Sequence, residues 1–322
     1  MKKLIKTLLL AALPLAIPGL IHAQPYPDKP IKLVVPYPPG ASTDSLARMV
    51  AQKISIPMGQ SVVVDNRAGA SGNIGSEIVA KSAPDGYTFL LGTDATHAAN
   101  MNMVPNPPFH PTRDFTPLSF AAINPIVLVV HPSIPVNNVR ELVAFVKANP
   151  SKGSYGTSGS GSPHHLSGEL LKQRSGAPLT HIPYRGGGPA LNDVMGGQIP
   201  MIFASAITVL PHIQGGRLRA IAVTGSQRYE GLPTVPTIAE TYEGFDMPSW
   251  LAFFGPANMP EAVSRRLSDE INKALMEPET KNKLTASGLI VMAGSPAELS
   301  ARVKREFELR GKLIREANIK AD

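Results

Sequence analysis

No cysteine occurs among the 322 residues. Without disulfides, the chain must draw its stability from a packed core, and no N-terminal Cys exists to carry a lipid. Aromatic residues make up only 6%, and there is a single Trp. Lys and Arg exceed Asp and Glu without forming a basic tract, so the footprint of a nucleic-acid binder is missing. No H-x-x-x-H or H-E-x-x-H pattern occurs, which removes the common helical zinc sites. Beyond the first 23 residues no run of 18 apolar residues could span a bilayer.

What is present begins with a leader. Lys2, Lys3 and Lys6 precede an apolar stretch from Leu8 to Ile21, broken by Pro14 and Pro18, and Ile21-His22-Ala23 offers a cleavage point before Gln24. This is the pattern of a secretory signal peptide over residues 1–23 and is too short for a membrane anchor. The formal charge of +7 falls to +4 without the three leader lysines. That mild excess is a mixed surface that also favours approach of an anion. The expected location is the bacterial periplasm, soluble and without a lipid tether.

Strands and helices then alternate. Ile31–Val35 reads as a strand and Asp44–Ile54 as a helix with Leu46, Ala47, Met49, Val50 and Ile54 on one side. Val62–Val64, Tyr87–Leu91, Ile126–Val130, Ser154–Gly156, Leu179–Ile182, Ile199–Phe203 and Leu218–Val223 are further strand candidates. Helices are expected over 72–81, 139–148 and 166–173. Such alternation predicts α/β layers with largely parallel sheets. After Pro260 two long helical patterns follow, one through Val263, Leu267, Ile271 and Leu275, the other through Leu299, Val303, Phe307 and Ile314.

Three turns between a strand and a helix hold the candidate chemistry. Pro36-Tyr37-Pro38-Pro39-Gly40-Ala41-Ser42-Thr43-Asp44 opens a helix, whose N-terminus presents unpaired N–H groups and partial positive charge. Such a turn holds carboxylate or phosphate, or is simply a rigid cap. Gly156-Thr157-Ser158-Gly159-Ser160-Gly161-Ser162-Pro163 offers hydroxyls and no acid; it has neither the dinucleotide fingerprint, nor the P-loop Lys, nor G-x-S-x-G. Tyr184-Arg185-Gly186-Gly187-Gly188 is the third. Thr93, Thr96 and His97 follow another strand end. His164 and His165 are adjacent and do not share a helix face.

These segments together resemble the substrate-binding proteins of tripartite tricarboxylate transporters, the Bug or TctC family. The resemblance rests on residues 26–40, on Asp65-Asn66-Arg67-Ala68-Gly69-Ala70-Ser71-Gly72-Asn73-Ile74-Gly75, and on Pro84-Asp85-Gly86-Tyr87-Thr88. It continues through Gly161-Ser162-Pro163 with His165-Leu166, Ile182-Pro183-Tyr184, and residues 210–240, and so runs over the whole chain after the leader. The resemblance implies an α/β two-lobed periplasmic binding protein (type II-like), each lobe a mixed, mainly parallel sheet flanked by helices. It implies a small organic carboxylate held between the lobes, large and small integral membrane subunits as partners, and no cofactor, metal or catalysis. Two crossovers would divide the chain into 24–123 with 248–322 as domain I and 124–247 as domain II.

Carried over by motif, the ligand-binding residues are Tyr37, Pro39, Gly40, Ala41, Ser42 and Asp44 from the first turn. Thr93, Thr96 and His97 follow from the next, and Ser158, Gly159, Ser160, Gly161, Ser162, His165 and Tyr184 from the second lobe. Ser205 completes the set. The family usually has Gly at Ala41 and often Asp at Ser205, so both positions bear on specificity. Two other functions stay open on the residues alone: a periplasmic sensor that presents its ligand to a sensor kinase, and an α/β hydrolase.

Overall fold

The computed structural model describes residues 26–40 and 42–320, with the Ser42 side chain left out. The expected leader over 1–23, Ala41 and the Ser42 side chain therefore lie outside the described residues.

Two sheets organise the fold. The first has six strands: β1 (Ile31–Val35), β2 (Val62–Asn66), β3 (Thr88–Thr93), β4 (Phe115–Asn124), β10 (Ser249–Pro256) and β11 (Ile290–Gly294), in the order β11-β4-β10-β3-β1-β2. The second has five: β5 (Ile126–Val130), β6 (Ser154–Thr157), β7 (Thr180–Pro183), β8 (Met201–Ser205) and β9 (Arg219–Val223), in the order β7-β6-β8-β5-β9. Two lobes of α/β structure result. The chain passes from β4 into β5 through Pro125 and returns between β9 and β10.

The sheets are mixed and not mainly parallel, which corrects the expectation drawn from strand–helix alternation. β1 runs parallel to β2 and β3, and β6 parallel to β7 and β8. β10 lies antiparallel to β3 and β4, β11 to β4, and β5 to β8 and β9. The antiparallel strands are those next to the crossovers. A strand that arrives from the other lobe has no helical return to impose parallel direction.

In the first lobe α1 (Ser42–Met58), α2 (Asn73–Ala80), α7 (Glu261–Met276) and α8 (Pro278–Ala286) flank the sheet. Leu46, Val50 and Ile54 of α1 are fully buried against Leu33, Phe89 and Leu267 in one core cluster. In the second lobe α3 (Val139–Ala148), α4 (Pro163–Ser175), α5 (Gly187–Met195) and α6 (Ala206–Gln214) do the same, with Leu142, Val146 and Leu170 packed under the sheet.

The last helix, α9 (Pro296–Glu316), serves both lobes. Its Leu299 and Val303 join the cluster of Val34, Leu90 and Trp250, whereas its Leu313 and Ile314 join that of Leu128, Tyr155 and Leu166. At 21 residues it is about 31 Å long, enough to reach across both. Ser295 and Glu298 close a capping box at its start.

Candidate functional site

β1, β3 and β6 all end toward the same space, and the loops after them wall a cavity of about 360 Å³ between the lobes. The position suits ligand capture, because strand carboxyl ends in α/β sheets open onto loops and helix N-termini. Tyr37, Thr43 and Ser71 line it from the first lobe, followed by Thr93, Asp94, Ala95 and Asn100. Ser158, Ser160, Gly161, Ser162 and Pro163 face them from the second lobe. Asn124, Ser249 and Leu251 come from the crossover strands.

The lining is polar, and among the described residues no Lys, Arg or His contributes to it. Its donors are hydroxyls, side-chain amides and the first turns of two long helices, α1 and α4. Ser162 caps α4, its Oγ accepting from the His165 N–H at 3.2 Å, and Pro163 occupies the first turn. Thr43 stands in the first turn of α1, 8% exposed, and its Oγ1 has no hydrogen-bond partner among the described residues. The Tyr37 hydroxyl lies 2.8 Å from Thr93 Oγ1, and burial pushes its phenol pKa well up, so it stays protonated.

Asp94, the only carboxylate in the lining among the described residues, is compensated from below. Its Oδ2 lies 3.0 Å from Arg310 Nη1 on α9, and both residues are 1% exposed. Ser249 Oγ donates to Asp94 Oδ1 at 2.7 Å. Arg310 continues to Glu306 and to the Pro248 carbonyl, and Trp250 Nε1 also donates to Glu306. Burial raises the Asp94 pKa against the pull of Arg310. This network ties the end of β3, the returning crossover and α9 into one block beneath the cavity.

The structure gathers Tyr37, Thr93, Ser158, Ser160, Gly161 and Ser162 of the sequence-predicted set around this space. Pro39, Gly40, Gly159, Thr96, His97, His165, Tyr184 and Ser205 are not among its lining residues. Gly40 has φ +84°, the left-handed region, with open space where a Cβ would stand, so the backbone angle alone already favours glycine there. Asp44 does not line the cavity either. It accepts from Gly40 N, Arg48 Nε and Asn66 Nδ2 at 2.9–3.0 Å, bracing the turn. Burial opposes its ionised form, but these bonds outweigh it and hold the carboxyl below its usual range.

His97 is fully buried with its ring stacked on Phe254 at 3.8 Å and Phe115 close by. Burial lowers its pKa to about 3. Thr96 Oγ1 accepts from Thr93 N and lies 2.8 Å from His97 Nδ1, so both residues support the cavity wall from behind. His165 stacks on His181 at 3.6 Å, and its Nδ1 accepts the Gly161 N–H at 3.0 Å, which holds the Ser/Gly loop. The Tyr184 hydroxyl donates to Asp193. Ser205 Oγ accepts from Asn124 Nδ2 at 3.2 Å and so touches the cavity through a lining residue.

Sequence reasoning missed Thr43, Ser71, Asp94, Asn100, Asn124 and Ser249. Ser71 sits in the Asp65–Gly75 segment, where it has φ +54°. Asn124 and Ser249 lie at the two crossovers, a positional signal that was available. Asn100 had none. Among the described residues no group of three or more His, Asp or Glu is placed to hold a metal, and no helix is long and apolar enough to cross a membrane.

Comparison with known proteins gives the following. The sequence pattern of the tripartite tricarboxylate transporter family receptor matches residues 46–319. The structure of Rpa4515 from R. palustris with adipate is 35% identical, with TM-score 0.77, over 92% of this chain and 99% of that one. The periplasmic binding protein BugD is 32% identical, with TM-score 0.74, over 92% and 100%. MatC from Rhodopseudomonas palustris with bound malate is 27% identical, with TM-score 0.73, over 90% and 100%.

Proposed function

The chain belongs to the tripartite tricarboxylate transporter receptor family, and from that premise we propose that it captures a small organic carboxylate in the cavity between its lobes and delivers it to the membrane subunits of such a transporter. The family is one of receptors, which are binding proteins and not enzymes. One observation carries the ligand class: the cavity offers two helix N-termini and a surround of hydroxyls and amides, with no cationic side chain among the described residues. Helix N-termini supply N–H donors and partial positive charge directed at an anion. A volume of about 360 Å³ fits a small acid. Relatives that hold adipate and malate support the same class. The leader-like N-terminus and the relation to a periplasmic binding protein support a periplasmic location.

The test is a thermal-shift screen of aliphatic and aromatic mono- and dicarboxylates, each beside its amide, followed by calorimetry on the hits. An acid should bind more tightly than its amide by about 1.5–3 kcal/mol, because the amide nitrogen leaves donors unpaired. Equal affinity of an acid and its neutral amide would overturn carboxylate capture.

A further inference from the structure

His164 stands one residue before His165 near the start of α4, and it does not line the cavity. Its Nδ1 nevertheless lies 2.7 Å from Ser158 Oγ, and Ser158 does line the cavity. No other hydrogen bond engages Ser158 Oγ among the described residues. The opposite edge of the ring is closed off: His164 Nε2 is buried and has no hydrogen-bond partner among the described residues.

The contact at one edge and the closed pocket at the other fix where the ring's proton sits. Burial pushes the His164 pKa down to about 4, so the imidazole is neutral at pH 7 and carries one N–H. With the proton on Nε2, a buried donor would have no acceptor. With the proton on Nδ1, that donor is used in the contact with Ser158 and only an unused lone pair faces the closed pocket. Orphaned buried N–H groups are rarer than under-used buried acceptors. The second tautomer is therefore the stable one.

The consequence falls on Ser158. Its oxygen accepts from His164, which leaves its single O–H to point elsewhere, and the open direction is the cavity. We propose that His164 is a positioning residue that holds Ser158 as a dedicated hydrogen-bond donor to the ligand, so that this wall accepts a carboxylate oxygen in preference to any group that must itself donate. The inference rests on the proposed carboxylate function and assigns the selectivity of that site to one serine–histidine pair.

Two measurements test it. Long-range ¹H–¹⁵N correlation spectra of the full chain without ligand read the tautomer directly. They should show a pyrrole-like Nδ1 and a pyridine-like Nε2 for His164, and the reverse pattern overturns the proposal. Calorimetry with adipate and malate as probes then compares Ser158→Ala, His164→Leu, His164→Asn and the double variant S158A/H164L. Each of S158A and H164L should weaken binding about tenfold, the double variant should lose no more than either, and H164N, whose amide can still donate, should keep most of the affinity. Additive losses, or no rescue by H164N, would mean that His164 only packs. If no acid of the thermal-shift screen binds the wild-type protein, the functional reading fails, whereas the tautomer measurement still decides the state of the pair.

Discussion

At the residue scale, buried imidazoles link stability to pH. His97 is neutral in the folded state because burial lowers its pKa from 6.5 to about 3. In the unfolded chain it protonates near its ordinary value. Above pH 6.5 neither state carries the proton. As pH falls below 6.5 the unfolded state takes it up first, so stability drops until the folded pKa is reached. One such group contributes a slope of about 1.4 kcal/mol per pH unit in that window. His97→Phe keeps an aromatic ring on Phe254 and removes the titration. Urea unfolding between pH 4 and 6.5 should show a shallower loss for the variant, and an unchanged slope would place His97 in contact with solvent.

The Asp94–Arg310 pair makes the opposite kind of statement. Removing one partner leaves the other charge buried without compensation, at a cost of about 3–5 kcal/mol. Arg310→Met should lower the unfolding free energy read from urea titration by that order, and Asp94→Asn in the same chain should recover part of it. Such pairs are hard to read from sequence, since the two residues are 216 positions apart (94 to 310) and neither belongs to a motif. The same holds for Asn124 and Ser249. By contrast Ser158 to Ser162 were legible because glycine and serine concentrate at one strand end, and hydroxyls beside a helix start have few structural uses other than capping and binding.

At the element scale, strands that carry an apolar run were legible, the antiparallel β5 and β9 among them, whereas strand direction and the strands β4 and β11 were not. Ile31–Val35 and the helix after it announce themselves by an apolar run, a proline turn and a 3.6-residue pattern. β4 escaped notice because Pro117 interrupts it and polar Ser119 sits inside, yet Ser119 is fully buried with its hydroxyl on Asn272. The strand β11, edge of its sheet, shows the weak pattern expected of a half-buried edge. The expected helix from residue 166 begins earlier, at Pro163, with Ser162 as its cap. Ser162→Ala should therefore cost about 1 kcal/mol by thermal or urea unfolding. It should also weaken capture of an acid by calorimetry, because the first turn of α4 walls the cavity. Loss of stability with unaltered affinity would separate the cap from the site.

At the scale of the whole molecule, two crossovers and α9 join the lobes. If loops from both lobes grip one ligand, the bound form gains contacts only with the cavity shut, and ligand shifts an open–closed equilibrium. We place the bending points near Pro125 and in the segment before β10. Because α9 packs into both cores, the motion is expected to turn about that helix and to be limited in range. Small-angle scattering should report a smaller radius of gyration with saturating adipate or another confirmed acid. Leu313→Ala, which opens a void where α9 meets the second lobe, should cost about 2–5 kcal/mol and widen the difference between free and bound curves. Identical curves with and without a bound acid would mean that the two lobes do not move.

The place of β10 has a consequence for how the molecule comes into being. It sits between β3 and β4 in the middle of its sheet, although it follows them by more than a hundred residues. Until Ser249–Pro256 arrives, β3 and β4 each present an open edge with nothing between them, and α9, which completes both cores, is later still. The second lobe can pair all its strands in the meantime; the first can pair β1 with β2 and β3 but cannot join them to β4. Non-local closure of this kind is slow and leaves edges available to other chains. A polypeptide that cannot finish its first lobe until nearly all of it has been made is well suited to threading through a membrane before it folds, and poorly suited to losing its C-terminus: truncation before residue 249 should yield an aggregating species and not a smaller binding domain.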